Sequence, residues 1–279
     1  MDARLTQRQM PGPLRRQYSA AVLILLPPSE GKTAPRRGAS LDLDALTFGA
    51  ELRAARGAVL EALAAVCSGP VEQAARILDL PPTRVEELER NRVLLDAPTS
   101  PAARVYSGVL FEHLDLASLD AAAKRRAARC VLISSGLWGV TAPGDRIPAY
   151  RLSGAVSLPP LGALASYWRP HLNNVLPHRA GRGLVLDLRS GTYANAWRPS
   201  GASAERTVAV RVTQAGKVVS HHNKAAKGLL ARALLTVGAD PRTPEALAGI
   251  CAELGFTALL GPAAPGRVRE LTLDEAGGA

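Results

Sequence analysis

The sequence predicts a mixed α/β fold, and three observations carry that prediction. Short apolar runs containing β-branched residues, such as Val22 to Leu26, recur along the chain and are bounded by Pro or Gly. Longer stretches with helical spacing stand between them, so helices and strands interleave, although without a regular βαβ rhythm. Of the 279 residues 47% are apolar, enough to bury one large core.

Taken in order, residues 1 to 20 carry Pro11 and Pro13 and no apolar period, and read as a flexible extension ahead of a domain spanning 21 to 273. Val22 to Leu26 reads as a buried strand that ends at Pro27-Pro28 and feeds a loop reaching about Ser40. Three helical patterns follow: Leu43 to Val66, stopped by Ser68-Gly69-Pro70; Val71 to Leu80, stopped by Pro81-Pro82; and Thr83 to Leu94, with Thr83 and Glu86 spaced as a capping box. Val131 to Gly139 reads as a core strand running into a Gly-bounded turn, and Pro148 to Gly154 as a polar, turn-rich segment. Gly183 to Tyr193 starts as a buried strand and turns polar at its C-terminal end. Thr207 to Thr213 and Lys217 to His222 are predicted to pair as a hairpin through Gln214-Ala215-Gly216. Asn223 to Leu235 and Thr243 to Leu254 read as helices, Val268 to Leu273 as a last strand, and the Ala/Gly-rich tail, 274 to 279, as disordered.

Charge and composition narrow the function. The formal net charge is +10, and a balance this basic points to a polyanionic partner, because each Lys or Arg near a phosphate displaces a condensed counterion. Abundant Ala, Arg, Gly and Pro also fit a GC-rich genome, which raises Arg on any solvated surface. The lysines are therefore the more informative cations, since only five of the 34 basic residues are Lys: Lys32, Lys124, Lys217, Lys224 and Lys227. Aromatics are 4%, which disfavours a platform that stacks successive bases of a single strand. Cys67, Cys130 and Cys251 are odd in number and widely spaced in apolar surroundings, as in a reducing compartment. The run Ala21 to Leu26 falls far short of the roughly 20 residues needed to cross a bilayer, and the segment before it is polar and basic. A cytoplasmic monomer without membrane contact is expected. Five histidines, none at i, i+4 helical spacing and none spaced with a cysteine, give no basis for a metal site, and no cofactor is implied.

"LLPPSEGKT", Leu25 to Thr33, ends like the phosphate-binding loop of a nucleotide hydrolase. That loop requires a Gly where this chain has Leu26, and free backbone N–H groups where Pro27 and Pro28 have none. What remains is Ser29, Glu30, Lys32 and Thr33 at the C-terminal mouth of a buried strand, where open α/β folds place their sites. Three other polar clusters also follow apolar segments: Ser134-Ser135-Gly136, Asp187-Leu188-Arg189-Ser190 with Tyr193, and His221-His222-Asn223-Lys224. If they converge, the site grips a phosphate or carboxylate, or performs amine chemistry with a desolvated Lys. "GLWG", Gly136 to Gly139, is loosely similar to a helix-hairpin-helix turn that offers backbone N–H groups to a DNA phosphate, and reads equally as a tight structural turn. "KRRAAR", Lys124 to Arg129, is either a phosphate-contacting or a solvated helix face.

In this order, "LPPSEGKT", "YSG" (Tyr106 to Gly108), "SGLWG" (Ser135 to Gly139), "PAYRLSG" (Pro148 to Gly154), "DLRSGTY" (Asp187 to Tyr193) and "HHNKAAKG" (His221 to Gly228) resemble the YaaA family of peroxide stress-response proteins. Lys32 and Lys224 match lysines of that pattern, and Tyr150, Arg151, Ser190 and Tyr193 also fall on it. The resemblance implies a single domain of unusual topology, a basic cleft, a helix-hairpin-helix-like element, binding to double-stranded DNA, and a role in limiting oxidative damage linked to intracellular iron.

Two functions follow as expectations. One is a DNA-binding protein that grips duplex phosphates, with Ser29, Ser135, Gly136, Trp138, Gly139, Tyr150, Arg151, Arg189, Ser190 and Lys227 as contacts. The other is an enzyme acting on a nucleotide, a nucleoside or a DNA base, by cleaving its glycosidic bond or transferring a group. In that case Lys32 or Lys224 is the nucleophile or clamp, Glu30 or Asp187 the acid/base, Arg151 the anion binder and Tyr193 the orienter.

Overall fold

The computed structural model describes residues 22–81, 83–214 and 220–275. The chain opens with β1 (Val22–Leu26), five consecutive buried aliphatic residues, as suits a strand covered on both faces. A helical block follows: α1 (Gly49–Ser68), α2 (Val71–Leu78) and α3 (Val85–Arg92). β2 (Ser100–Pro101), α4 (Ala102–Val105), α5 (Val109–Leu114) and α6 (Ala121–Cys130) lead into β3 (Val131–Ser135) and β4 (Gly139–Thr141). The short strands β5 (Arg146–Ile147), β6 (Ser157–Leu158) and β7 (Gly162–Ala163) precede α7 (Leu164–Ala180) and β8 (Leu184–Asp187). The chain then forms α8 (Gly191–Ala194), α9 (Gly201–Glu205), β9 (Thr207–Gln214), α10 (Ser220–Val237), α11 (Pro244–Glu253), β10 (Thr257–Leu260) and β11 (Arg269–Glu275).

Seven strands form one sheet in the order β10-β11-β9-β8-β1-β3-β4. The five inner strands are mutually parallel, and β10 and β4 close the two edges antiparallel. The mixed α/β class expected from the sequence is the one observed. From β1 the chain first builds outward through β3, then crosses back to β8 on the other side and continues to β9. The order therefore reverses between β1 and β8, and the carboxyl ends of these parallel strands open a crevice there. On the β8 side α10 packs against α5. Gly228 makes the approach possible, because a Cβ there would stand 2.4 Å from the Leu110 carbonyl oxygen.

Several boundaries differ from the sequence reading. α1 starts at Gly49 rather than Leu43, since Phe48 takes a left-handed φ of 58° and a Cβ at Gly49 would lie 2.1 Å from the Asp44 carbonyl oxygen. The Thr83/Glu86 capping box does not form: Arg84 is the N-cap of α3 and no side chain caps it. The expected hairpin is overturned, because Ser220 to His222 open α10 and β9 pairs in parallel with β8 and β11. The remainder of its second strand, 217 to 219, and the 1 to 20 extension lie outside the described residues. α7 was not foreseen; Pro170 and Pro177 sit inside it, while Leu164, Trp168, Leu172, Val175 and Leu176 keep a buried helical stripe.

The "GLWG" segment is corrected as well. It turns between two strands, β3 and β4, not between helices, and Leu137 and Trp138 are fully buried. Ser135 Oγ accepts from the backbone N–H groups of Leu137 (3.1 Å) and Trp138 (2.9 Å), so these donors are not open to a phosphate. On the outer side Trp168 Nε1 donates to the Gly136 carbonyl (2.8 Å) and buried Arg56 donates to those of Trp138 (3.2 Å) and Val140 (3.0 Å). The turn is a bolted part of the core.

Candidate functional site

At the reversal between β1 and β8 lies a cleft of about 740 Å³, within the range that holds a nucleotide-sized ligand. Its walls are the loop after β1, the start of α5, the segment Arg151–Ser153, the loop after β8 with α8, and α10.

The loop after β1 is held at both ends. Ser29 Oγ accepts from the Ser107 N–H (3.0 Å) and donates to the Gly31 carbonyl (2.5 Å). Lys32 forms a β-bridge with Tyr106, and Thr33 N–H donates to the Val105 carbonyl (2.8 Å). The Lys32 side chain consequently folds back: Nζ donates to the carbonyls of Ser29 (2.9 Å) and Glu30 (3.4 Å) and sits 4.2 Å from the centre of the Tyr150 ring. Desolvation of this ammonium, reinforced by the positive charge of Arg151, brings its pKa from 10.5 down to about 7 against the opposing pull of Glu87 and Glu30.

Beneath Lys32 runs a chain of buried hydroxyls. Tyr106 and Tyr150 oxygens are 3.0 Å apart, and Tyr150 is 2.6 Å from Ser135 Oγ. A hydroxyl has one proton to give. Ser135, already accepting from two N–H groups, donates to Tyr150, and Tyr150 in turn to Tyr106. Burial pushes Tyr106 up to about 12 and Tyr150 well above its ordinary value, so both stay protonated and support Lys32 rather than act as bases. Trp138 stacks edge-on against Tyr150, with ring centres 5.8 Å apart.

Arg151 is aimed from behind by Asn91 of α3. The Asn91 amide donates to the Arg151 carbonyl (2.7 Å) and its oxygen accepts the Arg151 N–H (2.9 Å). Both terminal nitrogens of Arg151 donate to one Glu30 oxygen at 3.2 Å, while its buried Nε has no partner among the described residues. Tyr193 closes the opposite wall: its hydroxyl accepts from the Gly154 N–H (3.0 Å), and a Cβ at Gly154 would come 2.6 Å from the Tyr193 ring. Burial raises the Tyr193 pKa.

Asp187, at the end of β8, does not face the cleft. Its two oxygens accept from Arg189 Nε (2.8 Å) and Nη2 (2.7 Å), a planar fork that occupies both. Arg189 also donates to the Tyr193 and Trp197 carbonyls (3.2 and 2.9 Å). On α10, Lys227 is buried at the cleft wall, where desolvation lowers its pKa and Asp187 partly restores it. Lys224, one turn earlier, is exposed at the same wall, and Ser190 is exposed at the start of α8.

Of the residues singled out from the sequence, Ser29, Glu30, Lys32, Arg151, Arg189, Ser190, Tyr193, Lys224 and Lys227 meet in this one cleft. Ser135, Gly136, Trp138, Gly139, Tyr150 and Asp187 lie outside its lining; Ser135, Tyr150 and Trp138 underpin Lys32, and Asp187 sets Arg189. Sequence reasoning missed Asn91, which stands in a polar helical stretch assigned to scaffold, and Ser107, whose backbone rather than its side chain does the anchoring. Among the described residues no three His, Cys, Asp or Glu gather as metal ligands, and no helix is long and apolar enough to cross a membrane.

A largely parallel sheet, edged by antiparallel strands and carrying a cleft at its topological switch point, defines a mixed α/β protein. The family model described as peroxide stress protein YaaA matches residues 22–258, and the chain belongs to that family. Among its relatives, a UPF0246 protein of Streptomyces coelicolor is 52% identical over 237 residues, covering 84% of this chain and 91% of the relative. A UPF0246 protein of Corynebacterium efficiens is 39% identical over 259 residues (90% and 99%), and one of Corynebacterium glutamicum 38% over 239 residues (84% and 94%).

Proposed function

We propose that the cleft binds a phosphate-bearing ligand of nucleotide type and that the protein is an enzyme acting on it, in the cytoplasm, through the amine of Lys32. The observation that supports this reading is the convergence of Lys32, Arg151, Tyr193 and the α10 pair Lys224 and Lys227, from four separate segments, on one cleft at the strand reversal. Lys32 serves as the nucleophile. Near neutral pH a sizeable share of it is free amine, able to attack an electrophilic carbon such as the anomeric carbon of a nucleoside. The new C–N bond forms as the glycosidic bond breaks, and the base leaves with that electron pair and a proton. Glu30 is the better placed of the two proposed carboxylates to move that proton, since both oxygens of Asp187 are committed to Arg189. Arg151 adds positive charge that draws the anionic ligand in, and Tyr193 orients it.

The test is borohydride trapping on abasic DNA, together with a nucleotide panel assayed for released base. A covalent adduct or product that Lys32→Ala abolishes supports the proposal, and neither forming with the wild-type protein sinks it.

The formal charge of +10 favours a second reading, in which a monomer holds duplex DNA by its phosphates. Fluorescence anisotropy across a salt series decides it. Affinity that falls steeply with salt supports duplex binding; no affinity at low salt excludes it.

A further inference from the structure

Lys227 differs from the other cations of the cleft. It is 8% exposed, it lines the cleft, and among the described residues it has no hydrogen bond or ion pair. The carboxylate that acts on its charge is Asp187, whose two oxygens are taken by Arg189. With those oxygens taken, the Lys227 ammonium, on a largely buried side chain, meets the cleft without a counterion of its own among the described residues. An uncompensated buried charge is costly, and a fold that keeps one in a cleft gains from an anion that completes it. Two further features share the wall. Lys224, three residues earlier on α10, lies on the same helical face and lines the same cleft. Asn223, also lining it, holds a buried side-chain oxygen without a partner among the described residues. The wall is fixed in place, because Gly228 seats α10 directly on the Leu110 carbonyl of α5.

We propose that the α10 wall is a phosphomonoester subsite in which Lys227 and Lys224 together neutralise the dianion and the Asn223 oxygen takes a hydrogen bond from the ligand. The lysines are point charges suited to phosphate, and two of them match a phosphomonoester better than a carboxylate or a diester. Lys32 stands on a different element, the loop after β1. The ligand thus enters with its phosphate against α10 and its reacting carbon toward Lys32, and a nucleoside lacking phosphate is a poor ligand. The orientation rests on the role proposed for Lys32; the phosphate subsite itself does not. The phosphate belongs either to a free mononucleotide or to the phosphorylated end of a DNA strand.

The test uses the full chain and titration calorimetry with inorganic phosphate, a nucleoside 5′-monophosphate, the parent nucleoside, and a DNA duplex with and without 5′-phosphate. The expected result is that the monophosphate binds at least about tenfold more tightly than the nucleoside, and that Lys227→Met weakens it by roughly thirtyfold or more. Lys224→Met, at an exposed position, is expected to weaken it by about threefold. Lys227→Met should also melt higher than wild type without ligand, where a lysine with a merely structural role would melt lower. Equal binding of nucleoside and monophosphate, or undiminished monophosphate binding by Lys227→Met, overturns the proposal. A preference for the phosphorylated duplex over the mononucleotide, lost in Lys227→Met, supports the subsite and assigns the phosphate to DNA. If borohydride trapping fails while the Lys227-dependent phosphate affinity persists, the proposed enzymatic reading falls and the subsite stands.

Discussion

The Lys32 ammonium rests 4.2 Å from the centre of the Tyr150 ring, with Arg151, the next residue along the chain from that ring, among the charges that lower its pKa. The ring attracts the cation while burial and Arg151 oppose it, and the balance leaves Lys32 near 7. Amine-selective acylation followed by peptide mapping should label Lys32 with a midpoint close to pH 7. Arg151→Met should move the midpoint upward, since it removes a positive neighbour and frees Glu30. A midpoint above 9 in the wild type contradicts the desolvated amine.

The same shift fixes how stability depends on pH. In the unfolded chain Lys32 titrates near 10.5 and in the folded chain near 7, so between these values the unfolded state binds more protons and stability rises with pH. Below about pH 7 both states are protonated and the cost of burying the charge is fully present. Lys32→Met should therefore stabilise the protein at pH 6 to 7 and flatten the rise toward pH 10, as read from denaturant midpoints. A variant whose stability keeps the wild-type slope refutes this assignment.

Asn91 is the concealed support of the site. Its amide makes two hydrogen bonds to the backbone of Arg151 from a buried position. Asn91→Ala should cost about 1 to 3 kcal/mol, because a buried donor and acceptor lose their partners together. Anion affinity should fall with it, as Arg151 loses its alignment. Urea titration and ligand titration of the same variant check both parts, and a neutral effect on both dismisses the role.

How much of this was legible follows from where each signal resides. β1 could be read because five aliphatic residues end at Pro27 and Pro28, a local pattern with one interpretation. α7 carries Pro170 and Pro177, two residues that locally disfavour a helix interior; burial of Trp168, Leu172 and Leu176 outweighs that penalty. The expected hairpin failed because the pairing of β9 with β8 and β11 is parallel and non-local, and nothing in the sequence around Gln214 encodes it. At the site, the polar residues at strand ends include Lys32, Arg189 and Tyr193, and all three line the cleft. The division of labour between Glu30 and Asp187 was not readable, since two carboxylates look alike until one is seen held by Arg189.

Gly154 and Tyr193 form a steric pair. A methyl at position 154 would come 2.6 Å from the tyrosine ring, so Gly154→Ala should push Tyr193 off the wall and cost about 1 to 3 kcal/mol. Tyr193→Ala removes the obstacle, and the double variant should be less damaged than the sum of the singles. A double-mutant cycle by denaturant unfolding tests the coupling, and strict additivity rejects it.

The Asp187–Arg189 fork gives the sharpest separation of structural from chemical roles. Arg189→Met leaves a buried carboxylate with neither fork nor full solvation, and the loss of one partner of a buried pair costs about 3 to 5 kcal/mol. The same change strips the Tyr193 and Trp197 carbonyls of their donor. With Asp187 now released from its fork, Lys227 gains that carboxylate as its own counterion. Phosphate affinity at the α10 wall should therefore drop in Arg189→Met, although no residue that would touch the phosphate has been replaced. Glu30→Gln, at an exposed carboxylate, should leave stability within about 0.5 kcal/mol of wild type. Turnover should fall in this variant. A stable Arg189→Met variant with undiminished phosphate binding contradicts this account of the charge balance, and a Glu30→Gln variant with undiminished turnover contradicts the proton role.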